Sequence, residues 1–348
     1  MNNILNLNGG NSRFFKTLIL LFLVVGFGVN AKAQQTPAAT KQVAPEVLPG
    51  KGPAEFDFFY AGEAKQRKMY IVRNGKITWS YIDTLGKGEI SDAVLMKNGN
   101  VLFAHQFGVT LIDKNKNVLW NYDAPKNHET HTAQPIGNDH VVFIQNGDTA
   151  KLFVMNVKTN KIEKQFTLQT RGNGTHGQFR HARLTPEGNI LVAHMDLGKI
   201  REYDVDGKQL LSFDMPGLWS VEPLKNGNIL AAGHEGNRTS YVRELNRKGE
   251  VVWEYMMSDM PDYVFLSPQI ATRLANGNTI VGNWFNQWDS KLDPKNLQVQ
   301  AIEITPDKKV IWALRSWAEP MNLGPSTTIQ LLNDANAITE KVHFGNIK

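Results

Sequence analysis

The 348-residue chain contains no cysteine. That excludes disulfides, thiolate metal ligands and a thiol nucleophile. Motifs of several large enzyme classes are missing as well. There is no G-x-S-x-G elbow, no phosphate-cradling glycine–lysine loop, no H-E-x-x-H and no EF-hand loop. Acidic residues show no spacing that marks a glycosidase pair. No segment sustains a helical hydrophobic period. The apolar run from Leu18 to Val29 is shorter than the roughly 20 residues that span a bilayer. Arg13 and Lys16 precede it and Ala31-Lys32-Ala33 follows, which is the layout of a secretory signal cleaved before Gln34. Residues 34–50, rich in Pro, Ala, Gln and Thr, read as a linker.

A strong charge of one sign is also missing. Lysine and arginine number 38 against 33 acids, and Arg13, Lys16 and Lys32 of the signal account for three of the 38, leaving 35 against 33. A near-neutral surface argues against nucleic acid as a partner. After signal cleavage, the reading is an exported or periplasmic protein with no stable membrane insertion.

What the chain does contain is a repeat. A turn of the form x-N-G-N recurs between apolar runs at Lys97–Asn100, Lys225–Asn228 and Ala275–Asn278, with variants at Pro186–Asn189 and Gly137–His140. Asn-Gly between strands marks a tight hairpin. A later strand places Trp79, Trp120, Lys164, Leu211, Trp253 and Trp312 in one slot, at spacings of 41, 44, 47, 42 and 59 residues. Units of about 40–50 residues with several short strands are the signature of propeller blades. The 59-residue gap reflects an insertion at Trp284 to Gln298, whose aromatics, Trp284 and Trp288 among them, suit a flap. The loop from Met256 to Ser267 enters the same rim. Six units are counted, and the first, Phe56 to Tyr81, lacks its innermost strand. Ser326 to Leu332 matches the missing piece. The expectation is an all-β, six-bladed propeller over residues 51–348, its first blade completed by the C-terminal strand. The slot tryptophans are expected to pack between blades.

The segments Leu245 to Tyr255 (LNRKGEVVWEY), Arg273 to Trp284 (RLANGNTIVGNW) and Ile304 to Trp312 resemble the repeats of quinoprotein-like propellers. They are most similar to the arylsulfotransferase-like branch and its uncharacterised secreted relatives. The resemblance covers nearly all of 56–332 and implies the fold. The quinone-dependent members have larger, usually eight-bladed rings and an adjacent-cysteine pair, so no cofactor is expected here. Arylsulfotransferases use a histidine nucleophile with further His and Arg, but no local motif maps those residues onto this chain.

Propeller topology then sorts side chains onto faces. Innermost-strand starts, second-strand ends and the loops between blades share one rim. Seven of the nine histidines fall there: His105, His128, His131, His176, His181, His194 and His234. His140 and His343 do not. Ser91, Asp92, Arg180, Trp219, Gln269 and Thr327 also mark innermost-strand starts, and Gln145 and Asn283 second-strand ends. The candidate ligand-binding set is His105, His131, Arg180, His181, His194, Trp219, His234 and Gln269. Such a mouth suits a carbohydrate or an anionic small molecule. Arg180-His181 is the best pair for acid–base chemistry with anion stabilisation. His128-x-x-His131 with His176 and His181 could offer imidazoles, but H-x-x-H on a loop is unspecific and no metal is assigned. The alternatives are a histidine-dependent transferase or lyase, a protein-binding scaffold marked by apolar outer edges, or histidines that merely line a wet channel.

Overall fold

The computed structural model describes residues 47–63, 67–84, 88–172, 174–235, 239–259, 267–285, 297–336 and 342–348. The expected signal, most of the expected linker, Trp288, and most of both long rim loops lie outside these residues.

Strands β1 (Phe58–Gly62), β2 (Lys68–Arg73) and β3 (Lys76–Ile82) are the outer strands of blade one. Blade two is β4 (Ile90–Leu95), β5 (Val101–His105), β6 (Gly108–Ile112) and β7 (Val118–Asp123). Blade three is β8 (Glu129–Ile136), β9 (His140–Asn146), β10 (Ala150–Asn156) and β11 (Lys161–Leu168). Blade four is β12 (Phe179–Leu184), β13 (Ile190–His194), β14 (Lys199–Tyr203) and β15 (Gln209–Asp214). Blade five is β16 (Leu218–Pro223), β17 (Ile229–Glu235), β18 (Thr239–Leu245) and β19 (Val251–Met256). Blade six is β20 (Ser267–Arg273), β21 (Thr279–Trp284), β22 (Ala301–Ile304) and β23 (Val310–Leu314). Finally β24 (Ser326–Leu331) pairs antiparallel with β1, Phe58 facing Leu331 and Ala61 facing Thr328. The C-terminal strand therefore closes blade one, and the chain is a six-bladed propeller. The innermost strands β24, β4, β8, β12, β16 and β20 touch in turn around the ring.

The hairpin chemistry differs in one detail from the sequence expectation. In Asn98-Gly99 only the glycine is left-handed, at φ 86°. Asn98 instead uses its side-chain oxygen to accept the Asn100 N–H at 2.9 Å. Asn226 and Asn276 do the same for Asn228 and Asn278.

The core lies between blades rather than within one. Trp79 donates its indole N–H to Lys114 O of the next blade at 3.0 Å, Trp120 to Asn160 at 2.9 Å and Trp253 to Pro306 O at 2.9 Å. Trp312 donates to Gly52 O at 2.8 Å, just ahead of blade one. Where the slot holds Lys164, its ammonium pairs with Asp206 of blade four at 2.9 Å instead. Leu211, the slot residue of blade four, packs instead on the apolar cluster between blades four and five. Leu48 packs on the cluster of blades five and six, and Pro49 O accepts the Ala313 N–H at 3.1 Å. At the other terminus Phe344 is fully buried beside Leu184 in the cluster of blades three and four.

Candidate functional site

Each innermost strand carries a register irregularity near its start. The residues left out of the ladder include Ser91, His131, Arg180, Trp219, Gln269 and Thr327, one per blade. A bulge bends its strand and re-aims a side chain. In blades two to five the freed residues Ser91, His131, Arg180 and Trp219 contact one another around a common mouth, whereas Thr327 Oγ1 donates to Ala61 O of its own blade at 3.2 Å.

The contacts form a circuit around that mouth. Ser91 Oγ lies 2.8 Å from His131 Nδ1, and Arg180 Nη1 lies 3.3 Å from the same nitrogen. The Arg180 guanidinium sits over the Trp219 ring at 5.8 Å. Trp219 meets Trp284 with centroids 5.5 Å apart, and His234 at 5.8 Å. Trp284 donates its indole N–H to Glu63, which shares a side-chain hydrogen bond with Glu89. Glu89 accepts from Ser91 at 3.0 Å, and Arg180 Nη1 also donates to it.

Glu129 stands beside this circuit and holds two imidazoles. His131 Nε2 and His176 Nδ1 each lie 2.8 Å from its Oε2, and Gln106 donates to its Oε1 at 2.9 Å. Arg180 Nη2 donates to His176 Nε2. His131 is fully buried, whereas the His176 side chain is 53% exposed. His176 borders an open cleft of about 820 Å³ walled by residues 124–129 and 174–177.

The electrostatics follow from these partners. Burial by itself would raise the Glu89 carboxyl, but the His131 hydrogen bond and the Arg180 charge more than offset it and hold it far below the usual range. Glu129 is also held low, burial being outweighed by its bonds from His131, His176 and Gln106. One level deeper, Asp92 and Arg183 form a two-pronged ion pair across the channel at 2.7 and 2.8 Å. Burial opposes the Asp92 charge, but Arg183 keeps the carboxyl lowered. Glu222 is different: burial pushes it up to about 7, with Thr272 only partly compensating.

The predicted residues separate by direction. His131, Arg180, Trp219 and His234 join the mouth. Gln269 is buried at the equivalent position of blade six, its Oε1 without a hydrogen-bond partner. His181, adjacent to Arg180, turns instead to the next blade, where Nδ1 accepts the Val221 N–H at 3.4 Å. Burial, with Arg183 nearby, pulls it down to about 3. His105 and His194 do not reach the mouth. His105 lies against Phe103 and bonds Thr110 at 3.1 Å. His194 lies between Phe179 and Tyr203, whose hydroxyl is 2.8 Å from its Nε2. Both sit where the second strand is still paired, Ile90 facing His105 and Phe179 facing His194, so their side chains enter the blade interfaces. His128 bonds Lys126 O at 3.1 Å outside the cluster. Sequence reasoning missed Glu63, Glu89 and Glu129. A signal existed: Glu89 and Glu129 each stand two residues before the bulged Ser91 and His131.

No protein-family model matches the sequence. A comparison with curated proteins also finds no match. Among solved structures, a protein of unknown function from Bacteroides caccae superposes with a TM-score of 0.68 at 24% identity, covering 79% of this chain and 98% of that one. A catalytically inactive histidine-to-alanine form of virginiamycin B lyase from Staphylococcus aureus, with quinupristin, gives 0.52 at 14% identity, covering 79% and 90%. These likenesses are of fold.

Proposed function

We propose that this chain is an exported propeller that binds a carbohydrate at the mouth ringed by Trp219, Trp284, His131, His176 and Arg180. The observation that carries the reading is the continuous circuit of indoles and carboxylates around one opening. Indole faces accept the apolar face of a sugar ring, while carboxylates and imidazoles bond its hydroxyls. A neutral or polyhydroxylated ligand suits this mouth better than a strongly anionic one. Glu63, Glu89 and Glu129 bring three carboxylates to this cluster, and its guanidinium, Arg180, is already engaged by Glu89. The scaffold reading keeps an observation of its own: the exposed apolar residues Leu119, Ile162, Leu210, Val252 and Ile311 all lie on outermost strands, each on a different blade.

A second reading, a lyase or transferase, has its own observation. Glu129 fixes His176 at the edge of a cleft, the arrangement of a carboxylate-oriented general base. A lyase of similar fold loses catalysis when one histidine is replaced. The arylsulfotransferase-like relationship rests on the repeat sequence.

Titration calorimetry against neutral and acidic oligosaccharides tests the main reading. At least one glycan is expected to bind, and Trp219→Ala to weaken it roughly ten-fold, about 1.4 kcal/mol. If no glycan binds, or Trp219→Ala changes nothing, the reading fails. An unsaturated product from that glycan, abolished in His176→Ala, would move the protein to the lyase class.

A further inference from the structure

We propose that Glu89, His131 and His176 form a binding site for a divalent transition-metal ion, and that Arg180 occupies its place when the metal is absent. Each of the three offers a ligand atom, and these atoms lie within 4.8 Å of one another. The inference concerns the same mouth but does not require the glycan.

The orientation of the rings is the first argument. Glu129 bonds one nitrogen of each imidazole, Nε2 of His131 and Nδ1 of His176. The remaining nitrogens, Nδ1 of His131 and Nε2 of His176, turn toward the same guanidinium. A carboxylate bound to the far nitrogen of a ligating histidine fixes the ring and raises its basicity. Here one carboxylate does this for both rings.

The second argument is the position of Arg180. Its Nη1 touches Glu89 and His131 Nδ1, and its Nη2 touches His176 Nε2. The guanidinium contacts all three candidate ligands, so it fills the point where a cation would sit. Two imidazoles and one carboxylate on one side of an ion match a known donor set for divalent iron and its neighbours, with positions left open. The open side leads through the exposed His176 to the cleft of about 820 Å³. The Trp219 ring, already 5.8 Å from the guanidinium, offers a face on which a displaced Arg180 can rest.

Competition between metal and guanidinium supplies the test. The full mature chain, stripped with a chelator, is titrated with Co²⁺ and followed by visible absorption and calorimetry. One equivalent is expected to bind with the absorption of imidazole-ligated cobalt. His176→Ala, an exposed position that leaves folding intact, and His131→Ala should each weaken binding by at least about ten-fold. Arg180→Met should tighten it several-fold, because it removes the competing cation and keeps the apolar stem. An adventitious surface histidine site would not respond to Arg180 in that direction. Binding unchanged in His176→Ala, or weakened in Arg180→Met, overturns the proposal. Glycan binding is read separately, so failure of one result leaves the other standing.

Discussion

Glu222 and the buried histidines show how single residues set the pH response. Glu222, half-buried on β16, is raised from 4.5 to about 7 by desolvation. The native state therefore holds a proton that the unfolded chain releases above pH 4.5. Its contribution to stability is fully present below that value and is lost as pH rises through about 7. The stability difference between the native protein and Glu222→Gln should shift by on the order of 3 kcal/mol against the native protein between pH 4.5 and 8. Urea denaturation at several pH values measures it, and a pH-independent difference would refute the assignment. His181 and His194, both pulled down to about 3 by burial, act in the opposite sense: their contribution is lost as pH falls below 6.5. At this scale the sequence was only half legible. Arg180 and His181 look like one site as neighbours, yet the bulge sends one to the mouth and the other to the next blade. A side chain's direction depends on where the ladder slips, and no residue type announces that slip.

Between elements, closure is the decisive event. β24 was readable because Ser326–Leu332 repeats the pattern of the other innermost strands while Phe56–Tyr81 lacks one. Deleting residues from Ser326 onward exposes the β1 edge and should markedly lower the melting temperature. Removing only 342–348 should cost much less, about 3–5 kcal/mol for the lost Phe344 side chain. Equal melting of the full chain and the longer truncation would disprove the closure. The bulges belong to this scale too. Their positions follow from the curvature each innermost strand needs at the channel, not from local propensity.

For the molecule as a whole, the signal expected from the sequence over residues 1–33 carries a test of its own: exported material should have lost these residues, and an intact mass that retains them would count against export by this signal. The ring brings together residues that are far apart in sequence: Arg183 reaches Asp92 across 91 positions, and Trp284 reaches Glu63 across 221. The repeat alone determined blade count and the closing strand, because the unit of about 45 residues recurs and its one missing strand reappears at Ser326–Leu332. Only the tertiary structure decided which side chains meet. The Glu89–His131–Glu129–His176–Arg180 cluster draws on three blades, and its members acquire a shared environment only when the ring closes. Burial and mutual charge then set the state of each group, and neither exists in the unfolded chain.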